Sequence, residues 1–250
     1  MPIKNATLLF VIFCCGPGID SFDCALLRRT LVRLNRIAAI YQPILLNNLN
    51  RNNYSLYFRR MTEDFAFDVE QCLNVLNKGG IMLYPTDTIW GIGCDATNAI
   101  AVEKIIALKQ RPAIKSFVVL TASERDVLQY TASPDLAVFD YLQAAGKPTT
   151  VIYEHAVGLA DNVLASDGSV AIRICNDEFC RNIIKRFRKP IVSTSANVSG
   201  MLSPRNFSEI DQAIRNGVDY VVKYKQDDFS LSAASAIISW KNGEIQVIRP

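Results

Sequence analysis

Between Phe67 and the end of the chain the hydrophobic period switches repeatedly between helical and strand spacing, and that alternation limits the fold more than any other feature. Val69, Cys72, Leu73 and Leu76 recur at helical spacing and stop at Gly79-Gly80. The run Ile81–Tyr84 then reads as a buried strand, ended by Pro85, which has no N–H for a sheet ladder. Asn98 is placed to cap a helix whose stripe is Val102, Ile105 and Ile106, and Pro112 ends it near Arg111. Strand patterns follow at 116–121, 149–154, 169–174, 219–224, 235–240 and 244–249. A further strand ends at Ile191-Val192. Helical patterns lie between them, capped by Ser123, opened by Ser133-Pro134, within 177–187, and capped by Ser208. The last two strands flank Lys241-Asn242-Gly243, where Asn-Gly is a strong hairpin signal. The predicted class is α/β, an open twisted mixed sheet with helices on its faces.

Charge is unevenly spread. Residues 1–60 carry eight Lys/Arg against two Asp/Glu, net +6, whereas residues 61–250 carry nineteen against twenty-two, net −3. A polyanion bound by the body must therefore meet a local cluster of cations. Residues 1–60 combine the apolar run Thr7–Gly16 with an Arg- and Asn-rich stretch. The preferred reading is an N-terminal extension, disordered or upstream of a true start at Met61. A signal or transit segment and a structural element are the alternatives. Residues 61–250 are then the folded domain.

Seven scattered cysteines without a C-x-x-C pair, and one histidine, His155, argue against a zinc site or a Cys–His nucleophile. The cysteine pattern suits reduced thiols in the cytoplasm. No run of about 18 apolar residues is present, so no membrane span is expected.

Two polar stretches at strand ends stand out. In Tyr84–Gly93, YPTDTIWGIG, the hydroxyls of Thr86 and Thr88 and the glycines Gly91 and Gly93 suit close approach of a phosphate or small polar ligand. An Asx-type turn is the plain alternative. In Pro190–Gly200, PIVSTSANVSG, nearly every residue after Val192 offers a hydroxyl or amide. Lys109, Arg111 and Lys115 leave a helix together and form a compact anion clamp, or else simply complement the helix dipole. Arg173 lies inside an apolar strand and either snorkels or points into a site.

YPTDTIWGIG, KQRPAIKSFVVL and STSANVSG, in this order, resemble the YrdC/Sua5 family, the L-threonylcarbamoyladenylate synthases, in their short single-domain form. The resemblance spans about Phe65 to Pro250. It implies a YrdC-like fold with a large concave cavity. It also implies formation of threonylcarbamoyl-AMP and pyrophosphate from L-threonine, bicarbonate or CO2, and ATP. The product then serves a downstream transferase complex that modifies the tRNA adenosine beside the anticodon, with tRNA itself a further candidate partner.

The family's cavity-lining K-x-R and S-x-N residues, the catalytic set that the resemblance implies, fall on Lys109, Arg111, Ser195 and Asn197. The resemblance gives Lys109, Arg111 and Lys115 to the triphosphate. It gives Thr88, Arg173 and Ser195 to threonine, Asn197 to the phosphate, and Thr150 and Ser235 to ATP. Mg²⁺ is expected to arrive on the phosphates. The sequence departs from the family pattern at Trp90, Ile92, Ser116, Cys175 and Gly146-Lys147-Pro148, none of which belongs to the K-x-R or S-x-N residues. One competing reading is a non-catalytic RNA-binding module of the same fold. Another is a carbamoyl-adenylate enzyme of hydrogenase maturation, whose accessory parts this sequence lacks.

Overall fold

A computed structural model describes residues 65–110, 117–230, 234–241 and 244–250. The N-terminal extension, Arg111, Lys115, Ser116 and the Asn242-Gly243 turn lie outside the described residues. Helix α1 covers 65–77. Strands β1 (Met82–Tyr84) and β2 (Gly91–Gly93) follow, then α2 (Ala99–Lys109) and β3 (Val118–Thr121). After α3 (Glu124–Tyr130) and α4 (Ala137–Ala144) come β4 (Thr149–Tyr153), β5 (Val170–Ile174) and α5 (Glu178–Phe187). The remainder is β6 (Ile191–Ser195), α6 (Gln212–Asn216), β7 (Tyr220–Val221), β8 (Ala236–Lys241) and β9 (Glu244–Arg249).

The strands form one mixed sheet in the order β7-β1-β2-β6-β3-β5-β4-β8-β9. The pairs β1–β7, β3–β5 and β4–β8 are parallel, and the other neighbours antiparallel. The predicted α/β class, with helices on the sheet, is what the chain adopts. Its core joins both ends of the body, with Val69 and Leu76 of α1, Val102 and Ile105 of α2, Val119 and Ile172 of the central strands, and Ile183 of α5 buried. Burial of each such side chain stabilises the fold by about 1.5–3 kcal/mol.

Local chemistry sets most element ends. Asn98 accepts from the Ile100 and Ala101 amides at the start of α2, and Gln110, at φ 49°, closes it before Pro112. Ser123 caps α3 through the Asp126 amide, and Asp177 caps α5 through that of Cys180. Four expectations need correction. Asp211, not Ser208, caps α6, because Ser208 sits in a separate 3-10 turn, Phe207–Glu209. Helix α4 starts at Ala137 rather than at Pro134. The strand expected to end at Val192 continues to Ser195, where β2 pairs with it through Gly91. The strand expected across 219–224 shortens to two residues, since the buried Asp68 carboxylate takes the Lys223 and Tyr224 amides and the Tyr220 hydroxyl.

The two glycines of β2 have a packing role that the sequence reading did not assign. A Cβ on Gly93 would lie 2.6 Å from Tyr84 Cε1 and 2.7 Å from the Val192 carbonyl oxygen. The Tyr84 ring thus packs against β2 where β2 carries no side chain. Gly93→Ala is expected to cost about 1–3 kcal/mol, as overpacking does. Urea unfolding measures it, and an unchanged midpoint would contradict this packing.

Candidate active site

The PTDT loop is anchored from below by the β5–α5 connection. Cys180 Sγ donates to the Pro85 carbonyl at 3.3 Å, and the Asn176 amide reaches Asp87 Oδ2 at 3.4 Å. Burial, reinforced by the neighbouring Cys175 thiol, holds the Cys180 thiol well above its ordinary range, so it stays protonated and can keep donating. Within the loop, Thr86 Oγ1 donates to the Ile89 carbonyl and accepts from the Thr88 amide. Its single proton is thereby committed. The 3.0 Å contact between the two hydroxyls must then be Thr88 donating to Thr86. Thr88, 4 % exposed, is left with lone pairs to offer.

Those lone pairs border a cavity of about 350 Å³ beside β6, β5 and β8, lined among others by Thr88, Trp90, Arg173, Ser193, Ser195, Ser235 and Arg249. Arg173 enters it because side chains on β5 alternate between faces, so Ile172 packs in the core while Arg173 turns to the cavity. It is 5 % exposed and stands 3.1 Å from Asp87, while its Nε has no hydrogen-bond partner among the described residues. Arg249 reaches the cavity from β9 and donates to the Ser235 carbonyl at 2.7 and 3.0 Å. Burial, and then the nearby Arg173 charge, pull its guanidinium below the usual arginine range. Two partly desolvated guanidinia that repel one another make the space between them favourable for an anion. The sequence reading missed Arg249. The signal was there, an arginine closing the apolar run of β9, as Arg173 interrupts that of β5.

The remaining predicted residues are placed differently. Thr150 is fully buried, and its hydroxyl lies 2.8 Å from that of Ser235, so it supports the cavity wall rather than lining it. Lys109, 1 % exposed, sends its ammonium to the carbonyl oxygens of Ser195 and Asn197, and its own carbonyl accepts from the Ser199 amide. The Asn197 amide nitrogen donates to the Val198 and Met201 carbonyls at 2.9 and 2.7 Å, holding the following loop, and its buried Oδ1 has no partner among the described residues. Neither Lys109 nor Asn197 is among the residues lining this cavity. The structure therefore brings Thr88, Arg173, Ser195 and Ser235 together, with Lys109 and Asn197 shaping the Ser195–Met201 turn behind them.

The site offers hydroxyls, two guanidinia and a dry wall formed by Trp90, which packs on Phe207 at 4.9 Å between ring centroids. Among the described residues no group of three or more His, Cys, Asp or Glu is placed to hold a metal ion. Such a site acts by orienting ligands and neutralising negative charge.

The profile of the Sua5/YciO/YrdC family, described as telomere recombination, matches residues 74–250, and the chain belongs to that family. Two curated proteins named threonylcarbamoyl-AMP synthase are similar to it. That of Idiomarina loihiensis is 32 % identical over 148 residues, covering 58 % of this chain and 80 % of the relative. That of Saccharophagus degradans is 34 % identical over 143 residues, covering 56 % and 74 %. Among solved structures, Sua5 of P. abyssi complexed with L-threonine superposes with a TM-score of 0.65 at 19 % identity, over 74 % of this chain. The chain spans about half of that protein, 54 %. That likeness establishes the shared fold. Among the described residues no helix is long and apolar enough to cross a membrane.

Proposed function

We propose that the chain is an L-threonylcarbamoyladenylate synthase. The observation that carries this reading is the single cavity in which Thr88, Arg173 and Arg249 converge, in a chain of this family. The threonine nitrogen attacks CO2, derived from bicarbonate, and after loss of a proton leaves a carbamate. A carbamate oxygen then attacks the α-phosphorus of ATP, the bond to the β-phosphate oxygen breaks, and pyrophosphate departs with the electron pair. Both reactants are anions, so their approach is the main barrier the protein has to lower.

Each residue has a task in this scheme. The Thr88 lone pairs accept from the threonine amine and orient its own lone pair for attack, and Arg173 takes the threonine carboxylate. Arg249 faces the phosphates, and the family resemblance gives Arg111 and Lys115 the same task. Ser195 offers its hydroxyl to the reacting phosphate, while Lys109 and Asn197 fix the turn that presents it. Ser235, backed by Thr150, borders the nucleotide. Mg²⁺ fits this donor set as an ion carried by the ATP oxygens, where it screens the triphosphate charge. The product feeds a transferase that acts on tRNA in the cytoplasm.

Ligand-induced stabilisation tests the reading. ATP with Mg²⁺, and L-threonine separately, are each expected to raise the melting temperature of the full chain by several degrees at about 100 times their dissociation constants. A protein that responds to neither ligand is not this synthase.

A further inference from the structure

Away from the cavity, two clefts of about 450 and 240 Å³ abut along Ala122-Ser123 and share no lining residue with the cavity of Arg173 and Arg249. Helix α5 runs past both. It supplies Arg181 to the first and Lys185 to the second, its C-cap Arg188 joins the second, and Arg125 and Lys147 complete the first. These five cations form no ion pair among the described residues. A sixth cation, Lys189, also lines the second cleft and is paired with Asp95, while elsewhere on the surface Arg186, Arg205 and Lys225 each meet a carboxylate. Two acids, Glu124 and Asp126, share the groove with the five unpaired cations and are bound by neutral amides. Glu124 accepts from the Gln143 amide at 3.0 Å, and Asp126 from the Ala122 amide at 3.0 Å. The cations outnumber these acids, so the groove is net positive in a body whose net charge is negative.

Two buried polar atoms point the same way. The Thr121 hydroxyl, in a fully buried residue that lines the second cleft, has no hydrogen-bond partner among the described residues. Nε of Arg181, in the first cleft, has none either. Orphaned buried donors beside unpaired cations are what an oxyanion satisfies.

We propose that this groove binds a nucleic-acid backbone, at a site separate from the catalytic cavity. The reason is its extent. From Arg181 to Arg188 the helix advances about 10 Å, further than one phosphate group and enough to follow successive phosphates of a strand. Tyr130, half-buried, lines the second cleft and places an aromatic side chain beside the path of the strand. The contacts are to phosphate, so they give affinity and register without reading sequence. This proposal does not rest on the synthase reading.

The test is binding of a fluorescein-labelled RNA hairpin to the full chain, followed by anisotropy between about 50 and 200 mM salt. The comparison is with a triple variant, Arg125→Gln, Lys147→Gln and Lys185→Gln, whose three positions are exposed in the folded protein. Both proteins keep the basic N-terminal residues, so any contribution from these cancels. The variant is expected to bind at least about 10-fold more weakly. The slope of log affinity against log salt should be shallower by about 2, near 0.7 per lost phosphate contact. Melting temperature and threonine-dependent pyrophosphate release should stay at wild-type values. Equal affinity and slope in the two proteins, or no RNA binding by either, would overturn the proposal. So would displacement of the RNA by inorganic tripolyphosphate at matched phosphate concentration, which would assign the groove to a small polyphosphate.

Discussion

Arg173→Ala is expected to lower kcat/KM for threonine about 10²- to 10³-fold, the usual cost of deleting a charged group that meets the reacting anions. The guanidinium is almost wholly buried, aims at the cavity, and has an Nε that no described group satisfies. Its removal also strips Asp87, with a side chain only 11 % exposed, of its cation. Breaking a buried pair from one side costs about 3–5 kcal/mol, so the alanine variant needs a companion that folds. Arg173→Lys keeps the charge near Asp87 but loses the planar fork that grips a carboxylate at two points. It should melt close to the wild type and still raise KM for threonine markedly. A normal threonine KM in Arg173→Lys would remove this residue from the substrate site.

Lys109→Met should act by another route. The ammonium is the shared donor for the carbonyls of Ser195 and Asn197 and so closes the turn that carries the Ser195 hydroxyl. Methionine fills a similar volume but takes the charged donor from both carbonyls, leaving that of Ser195 with only the Asn197 amide. Hydrogen bonds to charged groups contribute about 1.5–3 kcal/mol each, so a loss of about 3 kcal/mol is expected, near 10 °C in melting temperature for a chain of this size. Pyrophosphate release should fall about 10²-fold in the same variant. A protein equally stable and merely slower would show that Lys109 meets the phosphates directly. A less stable protein with full turnover would confine it to folding.

These two residues also mark what could and could not be read from the chain. Arg173 was legible because a charge inside Val-Ala-Ile-Arg-Ile has few places to go. The alternation that turns it to the cavity is a property of any strand. Lys109 was legible as a member of a cation cluster. Its orientation was not, because it depends on two carbonyl oxygens 86 and 88 residues away. The same holds for Asn197, whose amide serves its own loop. Thr88, Ser195 and Ser235 were visible as hydroxyls at strand ends or starts, but the single proton of Thr86 that decides what Thr88 can offer is a three-dimensional fact.

Helices α2 and α5 were readable from period and caps. Strand β2 was not, because three residues with two glycines carry no strand pattern, and only Tyr84 packing over Gly93 explains them. Sheet order was equally hidden, since β6 inserts between β2 and β3 from a hundred residues downstream. The basic end of α5 has, in the sequence, only the pattern of a solvated helix terminus. Its neighbours Arg125 and Lys147 come from other elements, so the groove exists only in the folded chain.

The measurement that bears most directly on the account is pyrophosphate release from ATP by the full chain, with L-threonine and bicarbonate supplied together, singly, or not at all. The account predicts release only when both are present, with threonylcarbamoyl-AMP formed in equal amount. Release that ignores threonine, or none from a folded protein given all three substrates, would contradict it.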